Sequence, residues 1–191
     1  LAWILANEDG FPVEEFKTIL RPSVFLIPAA AAAIHGISTE VAMAKGVDLV
    51  EVMNHFQRSL LKANKVIAHN LQFDEMILGA EFIRCQLPNQ IEALSRACTM
   101  QASTDLCQLP GPHGYKWPRL DELHQHLFGV GIGDAHRVAT SVLRRTVETA
   151  NLSLKGGAFC CFQDLVGTSA RGLSQWHDSC QSCSAYWWLQ G

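Results

Sequence analysis

The chain opens on an apolar run, Leu1-Ala-Trp-Ile-Leu5, breaks at the polar Asn7-Glu-Asp-Gly10 and resumes over Glu14–Leu20. This pattern predicts a β-hairpin, and because it opens at full strand pattern an upstream piece is expected. Arg21-Pro22 ends the hairpin, and Pro28-Ala-Ala-Ala-Ala-Ala-Ile34 predicts a short helix with Pro at its start. Ser38-Thr-Glu40 opens another, and Asp48–Leu61 predicts an amphipathic helix with Leu49, Val52, Met53, Phe56 and Leu60 on one face. The period then changes within one stretch. "VIAH" (Val66–His69) is short and apolar, as in a buried strand, while Phe73, Met76, Ile77, Ala80 and Ile83–Arg84 recur at helical spacing with Asp74 in the first turn.

Gln90–Ala97 predicts a helix and Cys98-Thr-Met100 a short strand. Leu109–Pro118 is a Pro- and Gly-rich loop, Arg119–Phe128 a helix ended by Gly129, and Asp134–Ala150 the last long helix. Strands alternating with helices in this order give an α/β fold.

At 191 residues the chain suits one domain with a remainder. Hydrophobic content of 48% and charged content of 17% describe a soluble globular protein. A net charge of −3 gives no global basic field, although a nuclease can carry an acidic centre inside a local basic rim. No apolar run approaches the ~18–20 residues that span a bilayer, so no membrane partner is expected and a cytoplasmic location is. Seven cysteines, an odd number with Cys85, Cys98 and Cys107 far apart, favour reduced thiols over a disulfide scaffold. Residues 151–191 differ from the rest: four charged side chains, four of the seven Cys and three of the five Trp, with poor periodicity. The division expected is a folded domain over 1–150 and a Cys-, Trp-, Ser- and Gly-rich tail over 151–191, outside the core.

Three stretches carry a family resemblance: "AAIHGIS" (Ala32–Ser38), "AHNLQFDEMIL" (Ala68–Leu78) and "GDAHRVA" (Gly133–Ala139), with "GPHGYKWPRLDELHQHLFG" (Gly111–Gly129) as a connector between the last two. In this order and spacing, over roughly the first 140 residues, the chain resembles the DEDD 3′→5′ exonucleases. This ribonuclease-H-like group includes polymerase proofreading subunits and ribonuclease T, and the His-type (DEDDh) branch is the closer match. The resemblance implies a mixed sheet flanked by helices, acting on the 3′ ends of single-stranded DNA or RNA, with a DNA polymerase as a possible partner.

Phosphodiester hydrolysis needs an activated water and charge stabilisation on the phosphoryl group, which two divalent cations about 3.5–4 Å apart supply. Hard cations such as Mg²⁺ or Mn²⁺ require carboxylate oxygens. In the family four acidic residues hold them and a histidine serves as general base, suited by a pKa near ~6.5. By position, the resemblance makes Asp74 the second-motif metal ligand and His136 the general base. Asn70 and Phe73 would meet the terminal nucleotide, and His35, Gly36 and Ile37 would grip its base. Each has a plainer reading too. Asp74 suits a helix macrodipole, Asn70 a helix cap, His136 a surface position, and His35 and Ile37 an ordered turn. Tyr115, Lys116, Trp117 and Arg119 suit either single-stranded nucleic acid or a packing loop. His124 and His126 read as ordinary surface groups.

The sequence departs from the family at three of its four carboxylates. The D-x-E of the first strand is absent, so the sheet is expected to lack that strand and expose unpaired edges. The position five after His136 is Ser141, with Asp134 and Glu148 poorly placed to replace it. Truncation and a frame change near codon 138 would account for both ends, with one further small change. One carboxylate does not hold two Mg²⁺ ions, so the chain as given is expected to be a poor catalyst or none. Two other readings stand beside a catalytic domain. One is a non-catalytic nucleic-acid-binding or polymerase-docking module of the same fold. The other is a zinc or thiol interaction tail built on Cys160, Cys161, His177 and Cys180-Gln-Ser-Cys183.

Overall fold

The computed structural model describes residues 1–23, 25–130, 145 and 158–162. The described residues divide into two compact units, one of Leu1–Thr18 with the described residues from Leu49 onward, the other of Ile19–Asp48.

In the first unit, β1 (Ala2–Ala6) and β2 (Pro12–Lys17) form the expected hairpin. The Asn7 side chain fastens its turn by accepting from the amides of Asp9 and Phe11. Every residue of β1 is buried, which explains the unbroken apolar run: both faces of this strand are covered. Helix α3 (Leu49–Leu60) buries Val52, Met53, Phe56 and Leu60, as its periodicity predicts. Trp3 stacks on Phe16 at 4.1 Å and meets Phe56 edge-on at 5.3 Å, so an aromatic cluster joins hairpin and helix. At its rim Glu14 accepts from Lys62 Nζ at 2.8 Å, from the Ser59 hydroxyl and from Trp3 Nε1 at 3.4 Å. Partial burial pushes the Glu14 carboxyl upward. The bonds from Lys62, Ser59 and Trp3 outweigh that and hold it at about 2.

Strand β3 (Lys65–Ala68) follows, then helix α4 (Leu71–Arg84). Helix α4 buries Leu71, Asp74, Leu78, Glu81 and Phe82, while Met76 and Ile83 are exposed. The inward face thus carries two carboxylates, and the apolar spacing that predicts a helix does not identify that face. The predicted helix over Gln90–Ala97 is a 3₁₀ turn at Gln90–Ala93 followed by β4 (Ser95–Cys98), and helix α5 (Thr99–Ala102) starts where a strand was expected. The β4 sequence Ser-Arg-Ala-Cys has little apolar signal because it is the edge strand, with Ser95 and Arg96 exposed. Helix α6 (Thr104–Cys107), a small ribbon of β5 (Pro110–Gly111) and β6 (Gly114–Tyr115), and α7 (Leu120–Phe128) complete this stretch. Gly129, in the left-handed region at φ 71°, ends α7 as predicted. His124 is buried rather than at the surface, bonded through Nδ1 to the Val130 carbonyl at 2.8 Å, whereas His126 is exposed.

The larger correction concerns the centre of the sheet. Its order is β2-β1-β7-β3-β4, where β7 is Ala158–Phe162. Strand β7 runs antiparallel to β1 and parallel to β3. The sheet is therefore not left short of a central member: a segment expected to stand outside the core fills the middle. Its place was illegible because five residues, Ala-Phe-Cys-Cys-Phe, are too few to show a period against a Ser- and Gly-rich background.

In the second unit, α1 (Ala29–His35) starts after Pro28, and α2 (Thr39–Lys45) is capped by Ser38, whose hydroxyl accepts from Val41. Leu20 bridges Val47 in parallel. Gly46 is required there, since a Cβ would lie 2.3 Å from the Ala42 carbonyl oxygen and 2.7 Å from the Arg21 nitrogen. Among the described residues no helix is long and apolar enough to cross a membrane, and Cys85, Cys98 and Cys107 are in no disulfide.

Candidate functional site

Three of the candidate residues share one turn at the C-terminal edge of β3. Asn70 adopts the left-handed conformation, φ 67° and ψ 50°, and its carbonyl accepts from the Phe73 amide at 2.9 Å. Left-handed backbone is costly for most residues, and Asn tolerates it better than others. The Asn70 side chain makes no capping bond and the residue is exposed, so a side-chain cap is not its role. Phe73 is half-buried. Asp74 turns inward in the first turn of α4, 5% exposed, where the helix dipole favours a carboxylate.

His69, between β3 and this turn, anchors it. Its Nε2 lies 3.0 Å from the Pro118 carbonyl oxygen, which can only accept, so Nε2 carries the proton. Nδ1 is then an acceptor for the Thr99 hydroxyl at 3.0 Å, a shorter contact than the 3.4 Å from that hydroxyl to the Ala68 carbonyl. Protein closes around the ring although part of the residue's surface stays accessible. This enclosure lowers its pKa to about 4, against the opposing pull of the Pro118 carbonyl and the Asp121 charge. The ring is neutral at physiological pH. His69 thus ties the end of β3 to the start of α5 and to the connector, a role for which the sequence signals only a polar residue ending an apolar strand.

The connector itself is a tight ribbon. A Cβ on Gly111 would come within 3.1 Å of Lys116 and of the Gly114 carbonyl oxygen, so a larger residue would have to push these neighbours back by a few tenths of an ångström. Lys116 Nζ is paired with Glu122 at 2.6 Å, and Arg119 is bidentate to Asp121 at 3.0 Å. These cations are locally neutralised, so the connector is not a basic strip.

His35, Gly36 and Ile37 form the turn that ends α1 in the second unit. Gly36 has φ 72° there, and His35 Nδ1 accepts from the Ile37 amide at 3.1 Å. The turn-ordering reading of His35 therefore has a concrete hydrogen bond. His136, Asp134, Ser141, Glu148, His177, Cys180 and Cys183 lie outside the described residues. Among the described residues no group of three or more His, Cys, Asp or Glu could hold a metal ion. The described donors do not fit a pair of Mg²⁺ or Mn²⁺ ions.

No family model matches the sequence, and no curated relative does. Solved structures do match in fold. E. coli exonuclease I in complex with a 5cy-dT13 oligonucleotide is 17% identical with a TM-score of 0.61, covering 78% of this chain and 36% of that one. A product-bound exonuclease I is 20% identical with a TM-score of 0.63, covering 78% and 38%. Apo exonuclease I is 18% identical with a TM-score of 0.61. A zinc-bound complex of E. coli exonuclease I with single-stranded DNA is also similar in fold. The chain spans little more than a third of the length of these neighbours. With identities this low the likeness is one of architecture: the chain shares the α/β, ribonuclease-H-like exonuclease fold of exonuclease I.

Proposed function

We propose that this chain is a 3′→5′ exonuclease-type domain of the DEDDh kind that engages the 3′ end of single-stranded DNA, with RNA as the alternative. We propose further that it holds this end without efficient hydrolysis. The observation that carries the reading is the turn at the edge of β3. Asn70 is held in a strained backbone conformation with its amide exposed, beside the half-buried Phe73 ring and the inward Asp74. An amide and a ring face on one turn suit a terminal nucleotide, by hydrogen bonding and by stacking. Neighbours in fold were solved with dT13 and dA16 oligonucleotides, which supports single-stranded DNA as the ligand class.

Weak catalysis follows from ligand count. Mg²⁺ sheds its water reluctantly and binds protein poorly without several carboxylates, and in the third motif Ser141 stands five positions after His136, where the family has an Asp. The test is equilibrium binding of labelled single-stranded DNA bearing either a free 3′-hydroxyl or a 3′-phosphate. A preference for the free hydroxyl that Asn70→Ala reduces supports the reading; equal binding of both ends, unaffected by the substitution, contradicts it.

A further inference from the structure

Two large aromatic side chains on the connector remain unexplained by packing: Tyr115 and Trp117 are each 53% exposed. The residues between and after them behave oppositely, with Lys116 half-buried and Pro118 buried. This alternation is that of an extended strand. The ladder of β5 and β6 continues one step beyond the ribbon, through the Lys116 amide to the Leu109 carbonyl at 2.9 Å. Pro118 then biases Trp117 itself toward extended backbone. Residues two apart on such a segment share a face, and their attachment points lie about 6.6–6.8 Å apart. That is roughly twice the 3.4 Å rise of stacked bases.

The segment is also fixed in place. The Pro118 carbonyl accepts from His69, the residue before Asn70, so the two rings are tethered to the candidate turn through one hydrogen bond. With Lys116 and Arg119 already paired to Glu122 and Asp121, the face offers ring surface rather than free positive charge.

We propose that Tyr115 and Trp117 form a stacking shelf for a base of the single-stranded polynucleotide whose end lies at the Asn70–Asp74 turn. The proposal rests on the reading of that turn as a 3′-end site. The chemistry is sequence-tolerant, because every base has a π face. Phosphate contacts contribute little at the shelf, so its share of binding is nearly independent of salt.

The test compares the full chain with Tyr115→Ala, Trp117→Ala, Tyr115→Phe and Trp117→Phe, binding a labelled dT oligonucleotide and an abasic oligonucleotide of the same length. Thermal melts check that each exposed substitution leaves the fold intact. Each alanine is expected to weaken dT binding by about 5-fold or more, and the phenylalanines by about 2-fold or less. The abasic strand should bind all five proteins alike, and the salt slope should not change. Alanine variants that bind dT like wild type, as when the rings serve a protein contact, overturn the shelf while leaving the 3′-end reading standing. So does an equal loss on the abasic strand. Failure of the unsubstituted chain to bind either strand overturns both.

Discussion

His69 donates from Nε2 to the Pro118 carbonyl across 3.0 Å, so the polar residue that ends β3 also fixes the connector leading into α7. Acceptance at Nδ1 from the Thr99 hydroxyl suits a neutral ring. Burial of the ring disfavours the charged form and lowers the pKa from an ordinary 6.5 to about 4, although the Pro118 bond and the Asp121 charge pull the other way. A base with a depressed folded pKa binds fewer protons folded than unfolded between those values. Its stabilisation is complete above about 6.5 and is lost as pH falls toward 4. The unfolding free energy from urea titrations should drop over this interval by up to about 3 kcal/mol, and His69→Gln should flatten that part of the profile. A pH profile unchanged by His69→Gln contradicts the clamp.

Asn70 separates backbone from side-chain roles. Its left-handed conformation suits Asn or Gly and penalises Ala by roughly 1 kcal/mol. Asn70→Gly should leave the melting temperature near wild type, and Asn70→Ala should lower it by several degrees for a domain of this size. Both remove the amide, so both should weaken single-stranded DNA binding. Full binding by the glycine variant would assign Asn70 to turn geometry alone.

Glu81 shares the inward face of α4 with Asp74, pairing with Arg84 at 2.6 Å through Oε1 while Oε2 has no hydrogen-bond partner among the described residues. Burial raises its pKa, and the Arg84 charge and hydrogen bond only partly offset this. An acid whose folded pKa is raised stabilises the fold less once pH passes its unfolded value, so the charge is a burden at neutrality. Glu81→Gln is expected to raise stability at pH 7 by about 1 kcal/mol. Denaturant titration checks the sign, and a clear loss would mean that the Arg84 pair outweighs the burial.

The middle position of β7 makes a stronger demand. It is the strand that pairs with both β1 and β3, and among the described residues it is what joins the hairpin to the parallel pair. Proline removes a ladder donor and is poorly tolerated in a central strand. Phe159→Pro should cost about 3 kcal/mol or more and broaden or abolish a cooperative melt. A variant that melts like wild type would show that the two halves of the sheet hold without β7.

The sequence was most readable where one face or a whole strand is buried. The all-apolar β1 and the Leu49-to-Leu60 stripe of α3 are legible for that reason, and Gly129 is legible because the left-handed turn that ends α7 favours glycine. It misled where burial and polarity part company. Helix α4 turns Asp74 and Glu81 inward and Ile83 outward, and β4 is a polar edge. His124 was read as a surface group because a buried imidazole satisfied by a backbone carbonyl leaves no trace in spacing. The shared turn of Asn70, Phe73 and Asp74 was visible as a strand-to-helix change of period, whereas its tie to Pro118, 49 positions away, depends on tertiary structure alone. The place of Ala158–Phe162 is a long-range pairing that local pattern does not encode.

The central claim is a 3′-end-binding exonuclease fold with little hydrolytic power of its own. The most direct measurement follows 3′-labelled single-stranded DNA with this polypeptide, scoring binding in EDTA and mononucleotide release with Mg²⁺ or Mn²⁺ in the same preparation. Binding that persists in EDTA, with no metal-dependent release above background, is the predicted result. Rapid metal-dependent release of mononucleotides, or no binding in either condition, would contradict the account.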